Sequence, residues 1–152
     1  MNFSIRTVAT VGAAVFVLAA SSVPAAADAP FDQVVVAGNA GWVATGIEAQ
    51  TGDTFNIRAD GQVITFFPPR GGSHSGPDGQ AGTCTSANGF VCAVEDAPWG
   101  ALIGRFGDGE PFVIGARESK VTANESGELL LAVNDYVGTW FDNTGGYVVK
   151  VQ

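Results

Sequence analysis

Near its C-terminus the chain reads Asn134-Asp135-Tyr136-Val137-Gly138-Thr139-Trp140-Phe141-Asp142-Asn143-Thr144-Gly145-Gly146. Large apolar residues occupy every second position before this stretch, at Leu129, Leu131 and Val133, and again after it, at Tyr147, Val149 and Val151. A period of two is typical of strands that bury one face, so the stretch is predicted to connect two strands that face one core. A tight hairpin needs only about two connecting residues. The extra length of this connection therefore indicates a function.

The connection is rich in side-chain oxygens and in glycine. Its oxygen-bearing residues include Asp135, Asp142 and Asn143, and its glycines, which let the backbone fold back on itself, are Gly138, Gly145 and Gly146. Ca²⁺ takes about six to eight oxygens from carboxylates, amide oxygens and backbone carbonyls. The loop is therefore predicted to bind calcium. The alternative is that Asp and Asn only form turns stabilised by their own side chains.

Aromatic residues in and beyond the loop have two interpretations. Tyr136, Trp140 and Phe141 either offer a stacking face to a sugar or anchor the loop to the fold, because aromatic side chains bury large areas. Trp42 and Trp99 are assigned to the core or to a contact between protomers.

The N-terminal residues have the pattern of a secretory signal peptide. Arg6 provides a positive charge, residues 8–20 are almost wholly apolar, and Ala25-Ala26-Ala27 matches a small-residue cleavage site. The apolar run is too short for a stable membrane anchor. Residues 1–27 are thus predicted to be removed after Ala27, which leaves residues 28–152 as one secreted domain, extracellular or periplasmic.

The charge balance restricts the possible partners. The chain has 15 acidic and 7 basic residues and a net charge of −8. Such a surface repels phosphate backbones, so nucleic acid is not expected to bind. Cations and neutral ligands are the natural partners.

Two cysteines, Cys84 and Cys92, are close in sequence. An exported chain meets an oxidising environment, so we expect one disulfide, with two free buried thiols as the alternative. Closing this short loop contributes on the order of 2–3 kcal/mol in the chain-entropy treatment.

The rest of the mature chain reads as short strands separated by turns. Strands are predicted at 31–37, 42–47, 55–59, 63–67, 90–94, 101–106, 111–114, 121–124, 128–133 and 147–151, with Asp60-Gly61 ending the third of them. Residues 68–83 lack any apolar period and are predicted to form a long surface loop. Helical spacing is almost absent. The expected fold is all-β, a small antiparallel β-sandwich of the jelly-roll type.

Several segments together resemble a known family. They are Leu129-Leu130-Leu131-Ala132-Val133-Asn134-Asp135, Gly138-Thr139, Asp142-Asn143-Thr144-Gly145, Thr45-Gly46-Ile47, Gly52-Asp53, Ala59-Asp60-Gly61, Gly76-Pro77-Asp78-Gly79 and the run from Gly100 to Gly107. Taken together in the order in which they occur along the chain, these segments resemble the PA-I-like family of calcium-dependent galactose-binding bacterial lectins. The resemblance covers most of the mature chain and implies a jelly-roll-like β-sandwich.

The resemblance also implies a set of ion ligands. Asp135 and Asp142 would supply carboxylates, Thr139 its backbone carbonyl, Asn143 an amide oxygen, and Thr65, or else Phe66, a distant carbonyl. The family has Asn where Asp142 stands, so the extra charge should tighten cation binding.

The implied mechanism is direct coordination of sugar hydroxyls to the ion, with Asp135, Tyr136, Thr139 and Asp142 as the sugar-binding residues. The two carboxylates would accept charge-assisted hydrogen bonds from the same hydroxyls.

The resemblance ends in the long loop. The family grips the sugar's hydroxymethyl group with a His and a Gln after the Gly-Pro-x-Gly motif, whereas here Gly79 is followed by Gln80-Ala81-Gly82-Thr83-Cys84. The only histidine, His74, precedes the motif and is expected to be exposed and inert. Preference for galactose thus stays open. Members of the family can be tetrameric, so a homo-oligomer is possible.

The sequence is compatible with three functions. The first is a secreted, non-catalytic, Ca²⁺-dependent carbohydrate-binding module. The second keeps the calcium only to order the loop, with another protein as the partner. The third is a small secreted hydrolase using Glu95, Asp96 or Asp108, since a glycosidase needs two carboxyls across a cleft.

Overall fold

The computed structural model describes residues 32–67 and 71–152. The signal peptide and its cleavage site, predicted within residues 1–28, lie outside the described residues. The described part contains nine strands and one short 3₁₀ helix: β1 (Asp32–Ala37), β2 (Val43–Ala49), β3 (Thr54–Phe67), β4 (Gly71–Ser75), β5 (Leu102–Phe106), β6 (Phe112–Val113), β7 (Arg117–Thr122), β8 (Gly127–Val133), the 3₁₀ turn Trp140–Asp142, and β9 (Thr144–Val151).

The strands form two antiparallel sheets. One has the order β1-β9-β3-β4, with β7 also pairing with β3, and the other has the order β2-β8-β5-β6. The predicted all-β antiparallel sandwich is confirmed. Within the described ranges no helix has the length and apolar character needed to cross a membrane.

The connection between β8 and β9, residues 134–143, is called the organising loop, and the two strands that flank it face the same core, as the alternation predicts. In β8, Leu129, Leu131 and Val133 are buried, and in β9 the buried residues are Tyr147, Val149 and Val151, while Val148 and Lys150 point outward. All six buried side chains belong to one hydrophobic cluster. β8 lies in one sheet and β9 in the other, so the loop between them crosses from sheet to sheet at one end of the sandwich.

Strand β3 does not end at Asp60-Gly61, which is a correction to the sequence prediction. It continues to Phe67 because Gly61 has φ +125° and pairs with Tyr147 of β9. A Cβ at this position would lie 2.4 Å from the carbonyl oxygen of Gly146. Glycine here permits a close approach of two backbones rather than a turn.

The predicted loop at 68–83 is also partly wrong. Gly71–Ser75 form β4, which pairs with the second half of β3, from Val63 opposite Ser75 to Phe67 opposite Gly71. β4 carries no apolar period because it is a sheet edge whose residues 72–74 are exposed. This long hairpin brings Thr65 to the end of the sandwich where the organising loop lies.

Two smaller predictions need correction. The strand expected at 90–94 is replaced by isolated bridges, Ala87 with Phe90 and Cys92 with Tyr136. The weak strand expected at 121–124 lies earlier, as β7.

The expected disulfide is present. Cys84 and Cys92 are bonded with an S–S distance of 2.02 Å, and both residues are buried. The bond closes a short loop beside the final connection, because Cys92 bridges to Tyr136.

Candidate functional site

The candidate site lies where the β8–β9 connection meets the end of β3. Asn134, the first residue of the connection, is fully buried and fixes its start. Its Oδ1 accepts a hydrogen bond from the Val94 amide at 2.9 Å, and its Nδ2 lies 3.1–3.2 Å from the carbonyls of Val94, Ala97 and Pro98. Sequence reasoning missed this role because these partners are about 40 positions away.

Asp135 is the buried carboxylate at the centre of the site, only 5% exposed. Its Oδ1 accepts hydrogen bonds from the backbone amide of Tyr136 at 2.7 Å and from the Thr139 hydroxyl at 3.4 Å. Its Oδ2 accepts one from Nδ2 of Asn143 at 2.9 Å. Burial raises the pKa of Asp135 despite these bonds, and the charge of Asp142 raises it further. The site thus holds a carboxylate whose charge is only partly compensated.

Asn143 and Asp142 each present a buried oxygen that lacks a donor. Asn143 uses its Nδ2 for Asp135 and for the carbonyl of Gly38, at 3.3 Å. Among the residues that the structure describes, Oδ1 of Asn143 and Oδ1 of Asp142 have no hydrogen-bond partner. An unsatisfied buried acceptor costs about 1–3 kcal/mol, so two of them beside a buried carboxylate need an explanation.

A hard cation fits this donor set. Two carboxylates, an amide oxygen and backbone carbonyls are the ligands that Ca²⁺ prefers, and a cation would satisfy both unpaired oxygens at once. Within residues 32–67 and 71–152 no group of three or more His, Cys, Asp or Glu side chains is placed to hold a metal. The site has two carboxylate side chains, Asp135 and Asp142, and its other donors are amide and carbonyl oxygens, so it does not form such a group.

Thr139 begins the 3₁₀ turn and is positioned to present its carbonyl. Its hydroxyl donates to the carbonyl of Tyr136 at 3.0 Å. Its own carbonyl oxygen accepts a long bond, 3.4 Å, from the amide of Asp142. Most of the acceptor capacity of the Thr139 carbonyl thus stays available for a ligand.

The aromatic residues of the loop divide between the two interpretations. The Trp140 indole donates to the carbonyl of Val133 at 2.8 Å, and the Tyr136 hydroxyl donates to that of Thr85 at 3.2 Å. Tyr136 also packs edge-on against Trp99, with ring centroids 4.9 Å apart. These rings anchor the loop. Phe141 is 77% exposed and so buries little of its ring against the fold.

A cavity of about 490 Å³ opens beside Asp135. Besides Asp135 it is lined by Thr65, Phe66, residues 71–73, residues 80–83 and Trp99. The volume is within the range of roughly 300–1,000 Å³ that small-molecule sites occupy. The structure therefore brings Thr65 to Asp135, and Asp135 to Thr139 and Asn143. Trp99 lines this cavity, a position that the sequence did not indicate.

Glu95, Asp96 and Asp108, the carboxylates considered for a hydrolase, are not among the described residues that line this cavity. Glu95 accepts hydrogen bonds from the hydroxyl and the backbone amide of Ser86, and these bonds lower its pKa. Ser86 in turn accepts from the amide of Cys92. Glu95 thus stabilises the disulfide loop as an ionised group, which is unsuited to a general acid. His74 is exposed on β4, with Nδ1 3.0 Å from Oε1 of Gln62.

Comparison with known proteins gives a family and a fold neighbour. The model of a family described as PA-IL-like protein matches residues 31–152. A solved structure described as "EclA N-terminal domain; PllA-like lectin" superposes with a TM-score of 0.58 at 21% sequence identity, covering 78% of this chain and 92% of that one. A search of curated proteins found no match.

Proposed function

The chain belongs to the PA-IL-like lectin family, and on that premise we propose that it is a secreted, Ca²⁺-dependent carbohydrate-binding protein without catalytic activity. The proposed ligand is galactose or a related sugar with a vicinal diol. Family membership supports carbohydrate binding, and the geometry of the β8–β9 loop supports a cation.

The observation that carries the calcium proposal is the pair of buried oxygens without donors, Oδ1 of Asp142 and Oδ1 of Asn143, next to buried Asp135. Removing a carboxylate and an amide from water is unfavourable unless their oxygens find partners. A bound Ca²⁺ would compensate for that cost, because each oxygen would then face a positive charge.

The protein's own residues would hold the ion and orient the sugar. Asp135, Asp142 and Asn143 would bind the ion through side chains, and Thr139 and Thr65 through carbonyls. When bound, the ion supplies coordination positions that a vicinal diol can occupy in place of water. Asp135 and Asp142 would accept charge-assisted hydrogen bonds from the same hydroxyls. Tyr136, held edge-on by Trp99, would form part of the rim.

Affinity chromatography tests the proposal. Residues 28–152 should be retained on immobilised galactose in millimolar Ca²⁺ and should elute when EDTA is added, because the ion would be part of the sugar site. Elution by free galactose and rebinding after Ca²⁺ is restored are the matched controls. Retention that EDTA leaves unchanged would contradict the calcium mechanism. A protein that calcium stabilises but that binds no sugar on a glycan array would instead favour a protein-interaction domain.

A further inference from the structure

Gln80 presents a third buried oxygen without a donor, in the same cavity as Asp135 and Thr65. Its Nε2 donates to the hydroxyl of Thr65 at 3.4 Å. Its Oε1 is buried and has no hydrogen-bond partner in the part of the chain that the structure describes. Gln80 thus resembles Asn143, since in both the amide nitrogen binds the protein and the oxygen stays unused.

The backbone around Gln80 is fixed, so the unused oxygen does not reflect a loose loop. The amide of Gln80 donates to the carbonyl of Trp99 at 2.9 Å, and the amide of Trp99 donates to that of Gly82 at 3.3 Å. Gly79 has φ +84°, and a Cβ there would lie 2.5 Å from Cβ of Pro98. The segment is therefore packed directly against residues 98 and 99.

We propose that Gln80 is an additional ligand of the cation bound by the β8–β9 loop, through its Oε1. The inference rests on the proposed function for the identity of the ion. It extends the ligand set from the final loop and the end of β3 to the connection after β4. With Gln80 the protein would supply about six oxygens, and since Ca²⁺ takes up to about eight, two positions would still be free for a diol.

Burial distinguishes an ion from the other possible partners of Oε1. A sugar hydroxyl entering the cavity would be no smaller than a water molecule, and Oε1 is inaccessible to water. A cation approaches an oxygen to about 2.3–2.6 Å, closer than a hydroxyl does, and its charge compensates several oxygens together. Oδ1 of Asp142 and Oδ1 of Asn143 are likewise buried and without a hydrogen-bond partner among the described residues. Gln80 is related to the ion site through Asp135 and Thr65, which line the same cavity.

Calorimetric titration of Ca²⁺ into sugar-free protein tests this role with two opposed variants. Gln80→Ala removes the oxygen and should weaken Ca²⁺ binding about tenfold or more. Gln80→Glu replaces it with a charged oxygen and should tighten binding several-fold. Gln33→Ala, which changes an exposed residue of β1, should leave the affinity unchanged. At saturating Ca²⁺, Gln80→Ala should bind methyl galactoside within about twofold of the unchanged protein.

Other outcomes would overturn the inference. Wild-type Ca²⁺ affinity in Gln80→Ala, whether or not Gln80→Glu binds more tightly, would exclude Gln80 as a ligand. If Gln80→Ala and Gln80→Glu both bound Ca²⁺ equally weakly, and both melted at a lower temperature than the unchanged protein in EDTA, Gln80 would have a structural role instead. A loss of galactoside affinity at saturating Ca²⁺ would make it a sugar contact instead. If the unchanged protein bound Ca²⁺ and no sugar, only the proposed lectin function would fail.

Discussion

Asp135→Asn is expected to abolish the stabilisation of the protein by calcium. A ligand at about 100 times its dissociation constant stabilises the native state by roughly 2.7 kcal/mol. For a domain of this size that corresponds to a rise in melting temperature of roughly 8–12 °C. The variant lacks the central charge of the site and should show almost no rise. Sugar binding should be lost with it, by at least about 100-fold. Thermal unfolding with Ca²⁺ and with EDTA measures the first effect.

Without calcium, the variant should be moderately less stable than the unchanged protein, so the calcium-induced rise is measured against each variant's own melting temperature in EDTA. An Asn at 135 keeps an oxygen that can accept the hydrogen bond from the Tyr136 amide. Its amide nitrogen would face Nδ2 of Asn143, which donates to Oδ2 of Asp135 in the unchanged protein, so the loss of that bond should cost about 1–3 kcal/mol. Asp108→Asn, in the exposed turn after β5, is the matched control and should keep the full calcium response. A calcium-induced rise that persisted in Asp135→Asn would exclude Asp135 as a ligand.

Gly61→Ala is expected to have the largest effect on stability. The added Cβ would lie 2.4 Å from the carbonyl oxygen of Gly146 in the neighbouring strand, at φ +125°. Neither backbone can move without breaking the β3–β9 ladder, which pairs eight residues on each side. We expect a loss of about 3 kcal/mol or more in the free energy of unfolding, measured by urea denaturation with EDTA present.

Gly52→Ala separates the clash from the backbone strain. Gly52 also has positive φ, +96°, but a Cβ there would have no atom within 4 Å in the described structure. The control should therefore cost only about 1 kcal/mol, the typical penalty for an L-residue in that conformation. If the two variants were equally stable, the close approach of β3 and β9 would not be as described.

The fold was predictable where one strand face is buried. The alternation in β8 and β9 identifies both strands and the core that they share, because Leu129, Leu131 and Val133 in β8 and Tyr147, Val149 and Val151 in β9 are buried in one cluster. The predicted end of β3 was too early because Asp60-Gly61 is typical of turns. The actual role of Gly61 is to let β3 approach Gly146 closely, and Gly146 lies some 85 positions away in the sequence. β4 was missed because an exposed edge strand of Gly, Ser and His has no apolar period.

The composition of the site was also partly predictable. Asp135, Asp142 and Asn143 lie on one loop, so local sequence shows them together, and the structure connects Asp135 with Asn143 directly. Which oxygens stay unpaired depends on distant partners such as the carbonyl of Gly38. The position of Gln80 directly after the Gly-Pro-x-Gly motif was visible in the sequence. Its hydrogen bond with Thr65 was not, because that contact depends on the β3–β4 hairpin.

A crystal structure of residues 28–152 grown with Ca²⁺ and methyl galactoside is the decisive measurement. We expect one ion bound by side-chain oxygens of Asp135, Asp142 and Asn143, with two neighbouring sugar hydroxyls completing its coordination. Density for an ion away from this loop, or for a sugar bound without touching the ion, would show that the loop does not bind sugar through calcium.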